Sequence, residues 1–498
     1  MPGIRGALLF GSLAGMTACP GEGGKGGAGD TSSGETEDTG VGDSGSGGDT
    51  GGGDSTISLL CDGSRDDGRA IKFCAPSAYG GIGLSLSRGC DLDGDRSPEL
   101  VFGYRTQVEG VDVSGIYIQQ EFTHSVAVSG APDVTAPDLD GFGGLPNCEG
   151  DRDGDGLDDL AALGETYAGT SVTERVFVLD GPVVPGETSA DAIGEIDSAG
   201  FEPWASAWVD GGGTGEGDGL LVGQAGNVDG HYYTYLERSP VGLLDGADAD
   251  AIFIDGAASE LYVGMNVESA DMDGDGVADL LLGVYEDYYD DIRVLRPHNA
   301  IMVVPGDASG TNDLDPGLVA GTPGGVMNLT DEVRLGPLGD AFSVGDLDDD
   351  GYPDLEVRLS DWLERDYHAM IGVYYGLQMG QREPEDADAF VDPASDHCVD
   401  HTEEGAIVTG FDGDEASGAL ILTCNDHVYL YADPPAGDVD ASFADADLLI
   451  ENSRSLQGVH DVGDLNDDGL EDIAFNAPYD QNVDAVNGSA YILFGGAW

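Results

Sequence analysis

One stretch of the sequence carries oxygen-bearing side chains at the spacing of a calcium-binding loop. Calcium takes about six to eight oxygen ligands, and acidic residues at alternate positions of a short loop can supply most of them. A glycine at position 6, Gly276, predicts a sharp bend with a positive φ. The candidate ligands are the side chains at positions 1, 3, 5 and 9 and the backbone carbonyl at position 7, which belong to Asp271, Asp273, Asp275, Asp279 and Val277.

The residue at position 12 separates this loop from an EF-hand. An EF-hand has a carboxylate at that position, whereas this chain has Leu282. The residues that follow position 9 are apolar and predict a buried strand. The sequence therefore predicts a calcium loop that leads directly into a strand.

The same pattern occurs four more times along the chain. The further candidate ligands, at positions 1, 3, 5, 7 and 9 of each loop, are Asp91, Asp93, Asp95, Ser97 and Glu99; Asp151, Asp153, Asp155, Leu157 and Asp159; Asp346, Asp348, Asp350, Tyr352 and Asp354; and Asp464, Asn466, Asp468, Leu470 and Asp472. Arg96 replaces the turn glycine of the first of these loops, so we expect weaker binding there. Two degenerate copies, beginning at Asp210 and Asp412, keep the apolar strand but have lost too many oxygens to hold an ion.

Seven copies of one pattern, spaced 52 to 75 residues apart, form an internal repeat that decides the fold. Each period reads as short strands separated by Gly, Asp and Pro turns. In the first period we expect four strands, near residues 83–89, 100–105, 115–120 and 125–130. About four strands in each of seven periods is typical of a seven-bladed β-propeller, an all-β fold. Blades bury their faces on their neighbours, so residues 56–498 can form one domain.

These repeats resemble the FG-GAP repeats of integrin α-subunit propellers and their bacterial relatives. The resemblance rests on the Asp-x-Asp-x-Asp-Gly-x-x-Asp-Leu pattern and on flanking pieces such as Phe102-Gly103, Gly130-Ala131-Pro132 and Asn476-Ala477-Pro478-Tyr479. It covers about residues 56–498. It implies that each calcium loop lies in the hairpin between the first two strands of a blade.

The N-terminus resembles a bacterial lipoprotein signal. Residues 1–18 contain an apolar run too short to span a bilayer as a stable helix. The resemblance implies that Cys19 is lipidated, and Pro20 after it favours the outer membrane; ordinary cleavage after Ala18 is the alternative. After Cys19, residues 20–55 are mostly Gly, Ser, Thr, Asp and Glu with almost no apolar side chain, so residues 19–55 are predicted to form a disordered tether. We expect an extracytoplasmic protein that contacts the membrane through lipid only.

The charge of the chain excludes several classes of partner. The 498 residues include 18 Lys and Arg against 96 Asp and Glu, a formal net charge of −78. A nucleic-acid binder needs a basic surface, which this composition does not supply. Anionic membrane surfaces are disfavoured for the same reason. Bound calcium would offset the repulsion between clustered carboxylates.

The cysteines also indicate an exported protein. Apart from Cys19 the chain has an even number, which in a secreted protein predicts disulfides. Cys90 and Cys148 precede equivalent loops in adjacent repeats and could meet, and the other candidates form two pairs that are close in sequence. The six candidates are Cys61, Cys74, Cys90, Cys148, Cys398 and Cys424.

The sequence contains no motif from which a catalytic residue can be assigned. It has no Gly-x-Ser-x-Gly elbow, no His-Glu-x-x-His helix and no phosphate-binding glycine loop. His397 and His401 are a candidate transition-metal pair, with a polar loop as the alternative. Asp218, Trp204 and Trp208 could line a sugar-binding face, with aromatic core packing as the alternative.

Two functions therefore remain. The first is a calcium-stabilised binding or adhesion scaffold for a protein or glycan. The alternative is a hydrolase or lyase that acts on polysaccharide or lipid, because propellers host many activities. Titratable groups that converge in the central channel would favour the enzyme.

The two ends of the propeller are expected to meet. The seventh repeat has room for its second and third strands, near residues 472–476 and 489–494, but not for a fourth. Two strand-like runs, residues 56–60 and 70–73, precede the first blade. We expect one of them to supply the missing outer strand, because an unpaired sheet edge invites aggregation.

Overall fold

Most of the described strands belong to seven antiparallel sheets of four strands each. The computed structural model describes residues 55–57, 59, 68–74, 81–108, 111–128, 132–136, 139, 141–168, 171–184, 186, 194–197, 203–210, 218–224, 233–238, 242–245, 249–254, 261–286, 298–314, 328–331, 342–360, 369–376, 381–382, 386–392, 402–411, 418–424, 426–440, 442, 444–450, 456–477, 481–482, 485–486 and 488–496. The predicted signal peptide, Cys19 and the linker as far as residue 54 lie outside these residues. So do Cys61, Cys398 and the pair His397 and His401.

The strands are numbered in chain order. Those before the first blade are β1 (Ser55–Ile57) and β2 (Ala70–Cys74). Blades one and two contribute β3 (Gly81–Leu86), β4 (Leu100–Val108), β5 (Val111–Gln119), β6 (Val126–Ala127), β7 (Val134–Thr135), β8 (Gly141–Gly150), β9 (Asp159–Ala168), β10 (Ser171–Leu179) and β11 (Gly194–Asp197). Blades three and four contribute β12 (Pro203–Val209), β13 (Gly219–Gln224), β14 (Tyr233–Glu237), β15 (Gly242–Asp245), β16 (Ala251–Ile254), β17 (Leu261–Ala270), β18 (Asp279–Glu286), β19 (His298–Val304), β20 (Gly310–Asp313) and β21 (Asn328–Asp331).

The remaining blades follow the same plan. Blades five and six contribute β22 (Phe342–Gly345), β23 (Asp354–Ser360), β24 (Ala369–Tyr374), β25 (Gln381–Arg382), β26 (Ala389–Asp392), β27 (Thr402–Thr409), β28 (Gly418–Cys424), β29 (His427–Tyr431), β30 (Gly437–Asp440) and β31 (Ala446–Ile450). Blade seven contributes β32 (Gln457–Asp461), β33 (Ile473–Ala477), β34 (Gln481–Asn482), β35 (Ala485–Val486) and β36 (Ser489–Leu493).

The apolar run after each loop forms a strand that is buried on both faces. In β18, Leu280, Leu281 and Leu282 are all fully buried. Successive side chains of a strand point to opposite faces. Leu280 and Leu282 accordingly pack in a cluster with blade three, and Leu281 packs in another with Val357 of blade five. A continuous apolar run is therefore what a sheet between two neighbouring sheets requires.

The innermost strands form a closed ring. Contacts join β3 to β8, β8 to β12, β12 to β17, β17 to β22, β22 to β27, β27 to β32 and β32 back to β3. This arrangement confirms the predicted seven-bladed β-propeller. In six blades the outer edge is extended by a short parallel strand from a neighbouring segment; these pairs are β11 with β15, β16 with β20, β21 with β25, β26 with β30, β31 with β1 and β2 with β6.

The ring closes as the sequence predicted, with two corrections. Strand β2 pairs antiparallel with β36, placing Ala70 opposite Leu493. The segment that precedes the first blade therefore supplies the fourth strand of blade seven. Strand β1 instead joins blade six as a fifth strand. The prediction that residues 125–130 form the fourth strand of blade one is wrong. Residues 126–127 pair with β2, and β7 is the fourth strand, because two residues of strand character do not indicate which edge they join.

One predicted disulfide joins blades one and two. The Cys90 and Cys148 sulfurs are bonded, with their Cα atoms 5.7 Å apart. Cys74 and Cys424 are also disulfide-bonded, to partners outside the described residues. Among the residues that the structure describes, no helix has the length and hydrophobicity needed to cross a membrane.

Candidate metal centres

The five predicted loops share one backbone conformation. At position 4 the φ angles are 82°, 74°, 74°, 58° and 60°, for Gly94, Gly154, Gly274, Asp349 and Asp467. At position 6 they are 75°, 89°, 87°, 83° and 90°, for Arg96, Gly156, Gly276, Gly351 and Gly469. The predicted bend at position 6 is therefore present even where arginine replaces glycine. The second left-handed residue, at position 4, was not predicted.

The acidic side chains brace these turns through backbone hydrogen bonds. In the Asp271 loop, the carboxylate of Asp271 accepts from the N–H groups of Asp275 at 2.9 Å and Gly276 at 2.7 Å. Asp273 also accepts from Asp275, at 3.0 Å, and Asp275 accepts from Val277 at 2.9 Å. The Asp464 loop repeats all four bonds, with the amide oxygen of Asn466 at position 3. These bonds hold the side-chain oxygens of positions 1, 3 and 5 close together within one short loop.

The acid at position 9 occupies a different environment. It begins or immediately precedes the second strand of its blade and is at most 4% exposed in all five loops, at Glu99, Asp159, Asp279, Asp354 and Asp472. One of its oxygens accepts from the N–H of position 2, at 2.8–3.1 Å. In three loops the other oxygen accepts from a glycine N–H after the third strand, at Gly181, Gly376 and Gly495. The side chain thus ties three parts of its blade together.

Burial of these acids raises their pKa. Desolvation is the largest cause, and it raises the pKa of Asp159, Asp279 and Asp354 to about 6 and that of Glu99 and Asp472 to about 7. Neighbouring carboxylates of the same loop raise the pKa further in four of the five, for example Asp273 beside Asp279. Each loop therefore holds a buried acid whose charged form is disfavoured by desolvation, and backbone hydrogen bonds offset part of this effect, as does the Arg152 guanidinium 3.8 Å from Asp159.

Four loops bring three carboxylates close enough to share one ion. Their ligand atoms all lie within 4.8 Å of one another, in the groups Asp91, Asp93 and Glu99; Asp151, Asp153 and Asp155; Asp271, Asp273 and Asp279; and Asp346, Asp348 and Asp354. Oxygens on opposite sides of one calcium lie about 5 Å apart. The Asp464 loop has two acids and one amide at the same positions. An all-oxygen donor set of this size fits a hard cation.

The two degenerate copies lack the buried acid. Register places Gly219 opposite Val209 in blade three, as Asp159 lies opposite Gly150 in blade two. Gly418 takes the same place in blade six, opposite Thr409. The prediction that these copies hold no ion remains a prediction, and Asp412 lies outside the described residues.

A second repeated aspartate lies at the outer side of the blades and was not predicted. Asp250, Asp388 and Asp445 precede the fourth strand of blades three, five and six, each between two alanines. Their carboxylates accept from the N–H groups of Arg238, Tyr375 and Ala432 at 2.8–3.0 Å. The recurring Ala-Asp-Ala tripeptide was the available signal. The contact fixes the end of the third strand, so the role is structural.

The aromatic candidate of blade three belongs to the core. Trp208 is 6% exposed and packs with Leu220, and its Nε1–H donates to the carbonyl of Asn147 at 3.2 Å. This confirms the core-packing alternative for Trp208. The side chain of Trp204 lies outside the described residues.

Titratable groups converge in the central channel. A cavity of about 230 Å³ is lined by the innermost strands of blades four to seven and by Arg88, Glu268, His460 and Asp461. The Arg88 guanidinium lies 3.0 Å from Glu268 and 3.6 Å from Glu149. Burial and the charge of Arg88 lower the pKa of His460 to about 4, so this histidine is neutral at pH 7. The cluster gathers three carboxylates around one fixed positive charge.

Comparison with known proteins assigns the chain to no family. No family model matches the chain, and no curated protein does. Among solved structures, BBS1N in complex with ARL6DN, soaked with lead, is similar at a TM-score of 0.41 and 10% identity, over 86% of this chain and 99% of that chain. The Dos1 propeller is similar at a TM-score of 0.39 and 8% identity, over 84% and 93%. At TM-scores below 0.5 these likenesses carry no argument about the fold, the family or the ligand of this chain.

Proposed function

We propose that the chain is a calcium-stabilised binding or adhesion scaffold outside the cytoplasm, built on a propeller related to FG-GAP repeats. The observation that carries the proposal is the recurrence of one loop conformation in five of seven blades, with three converging carboxylates in four of them. The buried acid at position 9 supplies negative charge that a bound cation would offset. The partner we propose is a protein or a glycan.

Calcium dependence is tested by thermal unfolding of the full chain. Ions that bind only the folded form raise its stability by mass action. We expect the melting temperature to rise with calcium through roughly 10⁻⁴–10⁻³ M, the range of extracellular calcium modules. Magnesium at equal concentration is the control, since it accepts irregular oxygen sites poorly. Identical melting in calcium and in chelator would exclude the proposal.

The proposed tether is tested separately. If lipid on Cys19 is the anchor, Cys19→Ser should release the protein from the membrane fraction and abolish incorporation of a fatty-acid analogue. The melting temperature should not change, because the tether precedes the propeller in sequence. A membrane-bound Cys19→Ser protein that retains residues 1–18 would contradict the lipoprotein assignment.

A second candidate function is a hydrolase or lyase, and the channel cluster favours it. Neutral His460 beside Asp461 offers a proton acceptor in a partly enclosed cavity. The test is turnover of acidic and neutral polysaccharides and of lipid esters, with His460→Ala as the comparison. Turnover that disappears in this variant would establish the enzyme. Equal turnover in both proteins would exclude the role of His460, and absent turnover in both would leave the binding scaffold.

A further inference from the structure

Two loops are held from the neighbouring blade by the aspartate that immediately precedes the second strand of that blade, Asp158 in blade two and Asp218 in blade three. The carboxylate of Asp158, in blade two, accepts from the N–H of Asp91 at 2.7 Å, and the Asp158 N–H donates to the Asp91 carbonyl at 3.2 Å. Asp218, in blade three, makes the same two bonds to Asp151, both at 3.0 Å. Each aspartate therefore clamps both backbone polar groups of the first residue of the preceding loop.

Asp218 belongs to a loop that has lost its own buried acid. It immediately precedes Gly219, just as Asp158 precedes Asp159. The two clamps are therefore structurally equivalent, although Gly219 leaves blade three without the position-9 ligand. The two bonds between Asp218 and Asp151 therefore hold the loop of blade two, not that of blade three.

The clamped residue is the one that organises its loop. The carboxylate of Asp151 accepts from the N–H groups of Gly154, Asp155 and Gly156 at 2.7–3.1 Å. The backbone of Asp151 determines where this carboxylate lies. Outer contacts that orient a metal ligand commonly change metal affinity about 10–100-fold when they are removed.

We propose that Asp218 is a positioning residue for the Asp151 loop and Asp158 for the Asp91 loop, so that ion binding in blades one and two is coupled. This inference rests on the proposed function. Asp158 lies between Leu157 and Asp159, both of which are candidate ligands of the second ion. An ion in the Asp151 loop therefore orders the residue that holds the Asp91 loop. Binding coupling is reciprocal, so an ion in the first loop favours the second.

Other contacts make the same two loops one unit. The N–H of Val183, in blade two, donates to the carbonyl of Leu92 at 3.1 Å. Gly94 lies so close to Leu157 that an added Cβ would be 2.7 Å from its Cδ2. In three of the five predicted loops position 8 is Ala278, Pro98 or Pro353, which have no carboxylate and cannot form the same pair of bonds. In the Asp464 loop position 8 is Glu471, but the neighbouring loop, in blade six, is a degenerate copy.

The test is calcium titration of the full chain by calorimetry, together with melting temperatures. Asp218→Ala should raise the calcium concentration for half-saturation of one site about tenfold. Asp218→Asn keeps an oxygen acceptor and should restore most of the affinity. Asp250→Ala is the matched control, since Asp250 also accepts a backbone N–H in blade three but at the outer strand. It should lower the melting temperature without moving any calcium midpoint.

Coupling is tested with Asp153→Ala, which removes a ligand of the second site. This variant should also weaken the site of the Asp91 loop, so that two binding steps shift. The double variant Asp153→Ala, Asp218→Ala should bind calcium like Asp153→Ala alone, because both substitutions act on the Asp151 loop.

The outcomes separate the inference from the function on which it rests. If the unaltered chain binds no calcium, the positioning role and the proposed calcium-dependent function are both wrong. If it binds calcium and Asp218→Ala binds with unchanged stoichiometry and midpoints, the positioning role is wrong and the proposed function stands. An equal shift of the midpoints in Asp250→Ala would also overturn the positioning role, because general destabilisation would then explain it.

Discussion

Blades two and three have the same strands and opposite loop chemistry. The apolar residues of their second strands are fully buried alike, Leu160 to Ala162 in one and Leu220 to Val222 in the other. Blade two begins this strand with the buried acid Asp159, and blade three begins it with Gly219. A blade therefore forms without the acidic loop. Its apolar strands build the sheet, and under the proposed function the loop adds an ion-dependent contribution to stability.

The added contribution has a cost in the absence of an ion. Burial raises the pKa of Asp159 to about 6, so at pH 7 the folded chain holds a charge that the unfolded chain would solvate. Blade three has no such charge at this position. Under the proposed function, the intact blades depend on a cation and the degenerate blades do not.

The largest effect should come from removing an apolar strand while leaving every loop in place. A chain that begins at residue 82 lacks β2, the fourth strand of blade seven, and also β1, the fifth strand of blade six. We expect a fall in melting temperature greater than that of any loop substitution, since loss of buried Phe73 alone is worth about 3–5 kcal/mol. A chain that begins at residue 54 should melt with the full chain. Equal melting of the two truncated chains would contradict the view that strands build the blades.

Substitution of a buried candidate ligand should change stability in opposite directions with and without calcium. Asp279→Asn keeps an acceptor for the Met272 N–H but removes the buried charge. In chelator we expect stabilisation of about 1–3 kcal/mol from relief of desolvation. In calcium we expect destabilisation, because a charged ligand is lost. Asp273→Asn is the control at a more exposed position, and it should lower stability only when calcium is present. If Asp279→Asn changes stability in the same direction in chelator and in calcium, the charge of Asp279 is not the charge that the ion offsets.

The pH dependence should follow from the raised pKa values. A carboxyl whose pKa is higher in the folded state binds protons more tightly there, so its stabilising effect is present below the unfolded pKa and is lost as pH rises through the folded pKa. In chelator, stability should fall between about pH 4 and 7, with the steepest loss near the pKa of about 6 of Asp279 and Asp354. Calcium needs deprotonated ligands. The melting shift caused by calcium should therefore be larger at pH 7.5 than at pH 5, and a smaller shift at pH 7.5 would contradict the assignment of these acids as ligands.

The sequence predicted those features that repeat with a strong local signal. The seven blades, the bend at Gly276, the closing strand from one of the two runs before the first blade and the Cys90–Cys148 disulfide follow from spacing and from the position of each copy. The left-handed residues Asp349 and Asp467 were missed because aspartate occurs in many other conformations.

Contacts between blades were harder to predict. The pairing of β6 with β2 joins residues more than 50 positions apart through two residues of strand character. The clamps made by Asp158 and Asp218 depend on which groups the ring brings together, and an aspartate immediately before the second strand carries no pattern of its own. Such contacts are set by tertiary packing, which local propensity does not encode.

The smallest effect should come from the first aspartate of a degenerate loop. Asp412→Ala should change stability by less than about 0.5 kcal/mol, as surface substitutions away from special features do. The reason is that Gly418 stands where the intact loops have their buried acid. Asp346→Ala, in the adjacent blade five, is the matched control and removes a carboxylate that accepts from the N–H of Gly351 at 2.9 Å. Its calcium-dependent melting shift should shrink, while that of Asp412→Ala should equal the shift of the unaltered chain. If Asp412→Ala loses as much of the shift as Asp346→Ala, the buried acid at position 9 is not required for an ion site, and blades three and six would have to be counted among the ion-dependent ones.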